Sequence, residues 1–384
     1  MIRDEMALKI MLETISQFVR EKLIPIELEV SEKDSIPEEI INDMRNLGLF
    51  GLSIPEEYGG LNLTFEEEVN VIFELCKASS VFRSLIGTNV GIGALGIIFK
   101  GNEEQKRKYL PKLASGEIIA SFALTEPDAG SDAASIKTTA VRKNGGYVLN
   151  GTKRFITNAP EAGLFTVFAR TNQEEKGAKG ISAFLVERNT PGLIIGKPER
   201  KMGQQGGHVS DVIFDNCWIP ESALLGEEGE GFKIAMKELD KSRTHIAAIC
   251  VGAAERIIEE SLKYAIERKQ FGQPIANFQL IQAMLADSKA EAYAARCMII
   301  DTARKFDEGK NITMESSCCK LFAAEMATRV ADRGVQIHGG YGYIREYAVE
   351  RFYRDVRLYR IYEGTSQIQQ IVIARNMIKS MSNM

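Results

Sequence analysis

The segment Asn144-Gly145-Gly146-Tyr147-Val148-Leu149 decides the architecture. An Asn-Gly pair supplies the two left-handed residues of a tight hairpin turn, and the Tyr-Val-Leu run after it favours extended backbone. Working outward, Leu164–Ala169 and Ile181–Val186 are apolar runs of strand length, punctuated by Pro191, Pro198 and several glycines. The region from about Ala120 to Leu225 therefore reads as a β-domain of roughly 100 residues.

On both sides the pattern turns helical. Upstream, Leu8, Met11, Leu12, Ile15, Phe18 and Val19 fall on one helix face. Pro37 followed by Glu38 and Glu39 marks a helix start, and SIPEEYGG (Ser53–Gly60) is a turn-rich interruption. Helix formers dominate Glu66–Cys76 and Glu103–Leu113. Downstream of Gly229-Glu230-Gly231, the stretch Phe232 to about Arg268 is long, Ala-rich and amphipathic, and Gly272 and Pro274 stop it. Gln279–Phe306 and Met314–Val335 follow, and such helices with short connections predict an antiparallel bundle. The expected fold class is α+β multidomain. Its parts are an N-terminal α-helical domain (1–120), a middle antiparallel β domain (121–230) and a C-terminal four-helix-bundle domain (231–384).

The 384-residue chain is 45% hydrophobic and 26% charged with a net charge of −4, which offers no global attraction to nucleic acid or anionic lipid. No uninterrupted apolar run approaches the ~20 residues a membrane span needs. Met1–Arg20 carries acidic residues early and repeats apolar residues at helical spacing, and reads as a domain helix rather than a targeting peptide. The six cysteines form no CxxC and read as buried reduced thiols of a cytoplasmic enzyme. His208, His245 and His338 are too dispersed to suggest a metal site.

Three segments carry chemistry. Ala123–Ser135 (ALTEPDAGSDAAS) is a tight loop whose free N–H groups, with the Thr125 and Ser131 hydroxyls, can hold a phosphate or the polar edge of a ring. By itself it reads as a surface turn leaving a helix. Gln336–Asp355 reads QIHGGYGYIREYAVERFYRD. There Gly339, Gly340 and Gly342 either let the backbone approach a ligand or cap a helix. It lacks the GxGxxG order and no strand precedes it, so it is not a Rossmann turn. In Tyr362–Gln369 (YEGTSQIQ), Glu363 lies just outside a helix start, as a capping charge or as a chemical group.

Together, in this order and spacing within an α-β-α chain, these segments resemble the acyl-CoA dehydrogenase family over essentially the whole length. The resemblance implies FAD as cofactor. Phe122, Leu124, Thr125 and Ser131 would line the flavin and its pyrophosphate. Phe155 and Thr157, in NGTKRFITN, would stack on and hydrogen-bond the isoalloxazine. Many relatives carry Trp in place of Phe155, and Phe keeps the π face while losing an N–H. Arg268, Gln270 and Phe271 (RKQFG), with Gln336, Gly339 and Gly340, would contact the adenine and pyrophosphate of a flavin shared with a neighbouring subunit. Thr365 and Gln367 would complete that site, in a homotetramer.

Glu363 would be the base that removes the α-proton, with its own N–H and a flavin ribityl hydroxyl holding the thioester oxygen. Asp240, Ser242 and Arg243 (DKSR), with Ser131, would meet the CoA side of the substrate, while Tyr362 and Gly364 shape the pocket. Electrons would pass to an electron-transfer flavoprotein. Arg83-Ser84, in VFRSLIGTNVGIG (Val81–Gly93), resembles the Arg-Ser pair with which glutaryl-CoA dehydrogenases hold a distal carboxylate. Arg83 either binds an acidic group at the end of a short acyl chain or pairs with a local Glu or Asp. In the first case oxidative decarboxylation becomes a second step. An acyl-CoA oxidase would keep Glu363 and FAD and admit oxygen. Some relatives bind DNA, which the net acidity here disfavours, and the retained Glu363 argues against relatives that desulfinate acyl-CoAs.

Overall fold

The computed structural model describes residues 1–175 and 177–382, and its elements run α, then β, then α. Helices α1 (Glu5–Phe18), α2 (Glu27–Lys33), α3 (Glu38–Asn46), α4 (Phe65–Leu75), α5 (Ser80–Val90), α6 (Leu95–Lys100) and α7 (Glu103–Ala114) come first. Local chemistry sets several of their ends. Asp4 accepts from the Met6 and Ala7 N–H groups at the start of α1. Thr64 with Glu67, and Asn102 with Gln105, form reciprocal capping boxes at α4 and α7.

The strands are β1 (Ala120–Ala123), β2 (Thr139–Lys143), β3 (Gly146–Thr157), β4 (Leu164–Arg170), β5 (Ile181–Glu187), β6 (Leu193–Ile195), β7 (Val209–Pro220) and β8 (Leu224–Leu225). Among the described residues they form one eight-stranded sheet, ordered β6-β7-β3-β2-β4-β5-β8 with β1 on β4. The β2–β3 hairpin closes through Asn144 (φ 53°) and Gly145 (φ 72°), as the sequence predicts. The sheet is antiparallel apart from β4's contacts with β1 and, at Thr139–Arg170, with β2. The β2–β3 hairpin lies between β1 and β4 in the chain and provides the crossover that their parallel pairing needs.

Helix α8 (Gly231–Glu267) then leads through the short strands β9 (Lys269–Gln270) and β10 (Gln273–Pro274) to α9 (Gln279–Asp307), α10 (Thr313–His338), α11 (Ala348–Val356) and α12 (Ser366–Ser382). One apolar core joins the first helices to the last: Ile72 and Phe73 of α4 cluster with Ile249 and Val251 of α8 and Ala323 and Ala327 of α10. Burial on this scale stabilises by about 25 cal/mol per Å² of apolar surface removed from water.

Two expectations need correction. By length and composition Ser80–Lys100 could cross a membrane, but 83% of it is buried inside the fold, so its apolarity serves the core. All six cysteines are free as expected, yet Cys297 is exposed and Cys318 half-buried, because α9 and the start of α10 turn those positions outward.

Candidate active site

Glu363 sits in the turn before α12, with left-handed backbone (φ 53°) followed by Gly364 at φ 90°. Gly364 has to be glycine: besides its φ, a Cβ there would lie 2.7 Å from Gln369 Nε2. Gln369 Nε2 donates to the Glu363 carbonyl at 3.2 Å and to the Gly364 carbonyl at 2.9 Å, and Lys320 Nζ of α10 reaches the Gly364 carbonyl at 2.8 Å. The Glu363 side chain points inward, where its Oε2 is shielded and without a protein partner. Desolvation pushes its carboxyl above the usual range. Arg83 opposes that shift most, then the neighbouring Ser242 hydroxyl, Lys320 and Arg243. The result is a carboxylate held nearer neutral pH, as a general base needs.

Arg83 faces this carboxylate from α5. Its guanidinium is 6% exposed, and Nε and Nη2 have no hydrogen-bond partner among the described residues. It lies over Gly87, where a Cβ would come within 2.5 Å of Nη1. One turn further, a Cβ at Gly91 would approach Ser242 Oγ at 3.9 Å, so this face of α5 looks towards α8. Ser84 turns elsewhere: its carbonyl accepts from Asn158 Nδ2 at 3.0 Å and its hydroxyl lies towards Gly207. Ser242 and Arg243 are buried beside Glu363, and Arg243 is paired with Asp240 at 2.9 Å. Asp240 also accepts from Thr313 Oγ1 at 2.6 Å. Tyr362 stacks on Tyr359 with ring centroids 6.1 Å apart. Behind this group Glu68 pairs with Lys241 at 2.7 Å and His245 at 3.0 Å, and burial pushes the imidazole down to about 4.

The loop from Phe122 to Thr138 is held by a buried ion pair that sequence reasoning missed. Glu126 Oε1 meets Lys153 Nζ of β3 at 2.8 Å, and Lys153 also donates to the Leu124 carbonyl at 3.1 Å. Burial pushes the Lys153 ammonium down to about 8, against the pull of Glu126. The Glu126 carboxylate further accepts from the Lys137 and Thr138 N–H groups at 2.6 and 2.9 Å. Leu124 packs its side chain into the core, so only its backbone can face a ligand, while Phe122 and Thr125 are half-buried and Ser131 exposed. Next to this loop Phe155 takes a left-handed backbone (φ 59°) that leaves its ring 59% exposed, with the Arg154 guanidinium 4.6 Å from the ring centroid. Thr157 is half-buried two residues on. An aromatic face presented against backbone strain beside hydroxyls and loop amides fits a flavin ring.

A second region gathers Arg268, Gln270, Gly339 and Gly340 around a cleft of about 700 Å³, with Tyr264 and His338. The backbone at Gly339 and Gly340 faces open space, which suits a phosphate or adenine approaching closely. Gln336 and Phe271 are exposed, and Phe271 is 92% exposed. Thr365 caps α12, accepting from the Ile368 N–H at 3.2 Å, and Gln367 is exposed on the first turn. Lys320 lies in no motif, and Gln369, Lys153 and Gly87 lie within quoted segments but were given no role. The one signal for them was a Lys or Gln within an otherwise apolar or small-residue stretch.

Comparison with known proteins agrees with this geometry. The chain matches the models of the acyl-CoA dehydrogenase N-terminal domain over residues 7–117, the middle domain over 121–217 and the C-terminal domain over 229–378. It is 43% identical over 364 residues to an acyl-CoA dehydrogenase of Bacillus subtilis, covering 95% of this chain and 96% of that one. It is 41% identical to the CarC subunit of a caffeyl-CoA reductase–Etf complex of Acetobacterium woodii, covering 96% and 98%. The structure of butyryl-CoA dehydrogenase from Megasphaera elsdenii superposes with a TM-score of 0.95 at 36% identity, covering 98% and 100%. The chain thus belongs to the acyl-CoA dehydrogenase family, FAD-dependent oxidoreductases that act on the CH–CH bond of acyl-CoA thioesters.

Proposed function

We propose that the chain desaturates a short acyl-CoA ending in a carboxylate, with Glu363 taking the α-proton and Arg83 holding the distal carboxylate. The observation that carries this reading is a set of three buried side-chain atoms without hydrogen-bond partners among the described residues: Glu363 Oε2 and Arg83 Nε and Nη2. Buried guanidinium nitrogens without hydrogen-bond partners are costly, and the carboxylate acting on Arg83 is that of Glu363 itself, so donors remain free for an incoming anion. The competing reading, an ion pair with a local Glu or Asp, would need a carboxylate hydrogen-bonded to Arg83; among the described residues Nε and Nη2 have none, although Glu363 acts on the guanidinium.

Bound FAD supplies the hydride acceptor. The chain supplies the rest. The Phe155 face and the loop tied by Lys153 and Glu126 orient the ring. The Glu363 N–H, which makes no main-chain hydrogen bond among the described residues, is placed to donate to the thioester oxygen as negative charge develops there. Electrons leave to an electron-transfer flavoprotein, a reading supported by likeness to the subunit of the caffeyl-CoA reductase–Etf complex. That relative is named as a reductase, and the same carboxylate would return the proton if the reaction ran towards the saturated thioester. A homotetramer is part of the reading: the Arg268 cleft, beside the exposed Phe271 and Tyr343, would take the adenine end of a flavin bound mainly by a neighbour.

Anaerobic bleaching of the flavin by butyryl-CoA and glutaryl-CoA tests the proposal. Glutaryl-CoA should bleach the wild type. In Arg83→Ala its advantage should fall about 10- to 100-fold, the worth of a lost charged hydrogen bond. Glu363→Gln should bind flavin normally and bleach with neither. Equal activity on both thioesters in wild type and Arg83→Ala would reject the distal-carboxylate reading. Released carbon dioxide marks the decarboxylating variant of the reaction, and hydrogen peroxide yield marks an oxidase.

A further inference from the structure

The turn that presents Glu363 places two left-handed residues in succession, φ 53° at Glu363 and 90° at Gly364. A residue with a side chain keeps such a backbone only where its surroundings over-determine it. Here the carbonyls of both residues point into the protein and are captured there. Two donors converge on the Gly364 oxygen, Lys320 Nζ at 2.8 Å and Gln369 Nε2 at 2.9 Å, and the same amide reaches the Glu363 oxygen at 3.2 Å. Both side chains are 0% exposed.

Lys320 is an unusual choice for this work. Among the described residues its only hydrogen bond is to that carbonyl, and no carboxylate oxygen lies within ion-pair distance. Burial pushes its ammonium down to about 8, which Cys250, Glu363 and Glu325 oppose and Arg243 reinforces. A glutamine could hold a carbonyl without that penalty, as Gln369 does on the other side. The charge therefore serves something that a neutral donor would not.

We propose that Lys320, with Gln369, is a positioning residue for the reaction: it fixes the Glu363–Gly364 turn so that the Glu363 carboxylate is aimed at the substrate, and it adds a positive charge near that carboxylate from beyond ion-pair distance. The inference rests on Glu363 as the base. The other groups facing Glu363 are Arg83 from α5, Ser242 and Arg243 from α8, and Tyr362 from the same turn. Arg83 and the Ser242 hydroxyl act on it more strongly than Lys320, so Lys320 trims its basicity rather than setting it.

Holoenzyme variants separate the parts of this proposal by rapid-mixing flavin reduction with butyryl-CoA and glutaryl-CoA across pH. Lys320→Met should retain flavin and lose about 10- to 100-fold in kcat with KM changed by less than about threefold, the pattern of lost alignment. The acidic limb of its rate profile should move up by roughly half to one pH unit, because a nearby cation holding the carboxylate ionised is gone. Lys320→Arg should keep the limb in place. Gln369→Met should lose kcat without moving the limb. A wild-type rate and limb in Lys320→Met, alongside an inert Glu363→Gln, overturns the proposal and leaves the base intact. An active Glu363→Gln instead removes the base. Should Lys320→Met fail to fold, a wild-type kcat in Gln369→Met or a displaced limb in Lys320→Arg overturns it.

Discussion

Glu238 on α8 is fully buried against Gly96 of α6, and neither of its carboxyl oxygens has a partner among the described residues. Burial holds its carboxyl well above 4.5. The folded protein therefore keeps a proton there that the unfolded chain gives up. Stability from this group is complete below about pH 4.5 and is lost as pH rises through the folded value. Within that window the loss approaches about 1.4 kcal/mol per pH unit. Glu238→Gln keeps the shape and removes the titration. Its stability relative to wild type should climb between pH 5 and pH 8, read from urea midpoints, and parallel pH profiles would rule this out. Glu363 differs from Glu238 although both are raised by burial. Glu363 has Arg83, Ser242, Lys320 and Arg243 around it, so its ionised form is partly answered. That contrast separates a carboxyl whose ionised form has neighbours to answer it from one that has none.

Helix α5 shows how far an element can be read before its neighbours are known. The β2–β3 hairpin and the long helices of the last third were legible because turn chemistry and apolar spacing are local signals, whereas α5 carried no such signal and only its Arg-Ser pair stood out, by resemblance. Lys320 was not legible: it acts on a carbonyl 44 residues away, and nothing in its own segment records that. Lys153 meets Glu126 across 27 residues and was equally silent. The parallel seam of β1 on β4 likewise depends on the path of the whole hairpin between them. Gly87 makes room for the Arg83 guanidinium, which nothing in its own segment records. Alanine there should gain up to about 1 kcal/mol of helix propensity. Its Cβ would also sit 2.5 Å from Nη1 and force the guanidinium to swing away. Gly87→Ala should melt no lower than wild type while its preference for glutaryl- over butyryl-CoA falls about tenfold, the size of one weakened polar contact. A preserved preference with an unchanged melting curve would place the anion elsewhere.

At the scale of the whole molecule, the first and last helical regions are also tied by a knot of buried charge. Glu27 on α2 accepts from Arg351 Nη2 of α11 at 2.6 Å, from Arg256 Nη2 of α8 at 3.5 Å, and from the Ser79 N–H. One turn along α11, Asp355 accepts from the Gln204 N–H, which brings the loop before β7 into the same contact. Desolvation raises the Glu27 carboxyl in spite of both arginines, so they offset its burial only in part. Arg351→Met removes one cation and leaves the carboxylate short of charge. Breaking a buried pair from one side costs about 3–5 kcal/mol. The Glu27 carboxyl would rise further, so the deficit should be largest at neutral pH and shrink as acid protonates it. Glu27→Gln combined with Arg351→Met removes the unanswered Glu27 charge, leaves Arg256 on Glu260, and should recover part of the loss. Denaturation of the flavin-loaded protein at pH 5 and pH 7.5 measures both effects. Because Glu27 and Arg351 are 324 residues apart, failure of this contact should release the two helical regions together, in one transition rather than two. A single variant as stable as wild type at pH 7.5 would mean that Arg256 alone holds the knot.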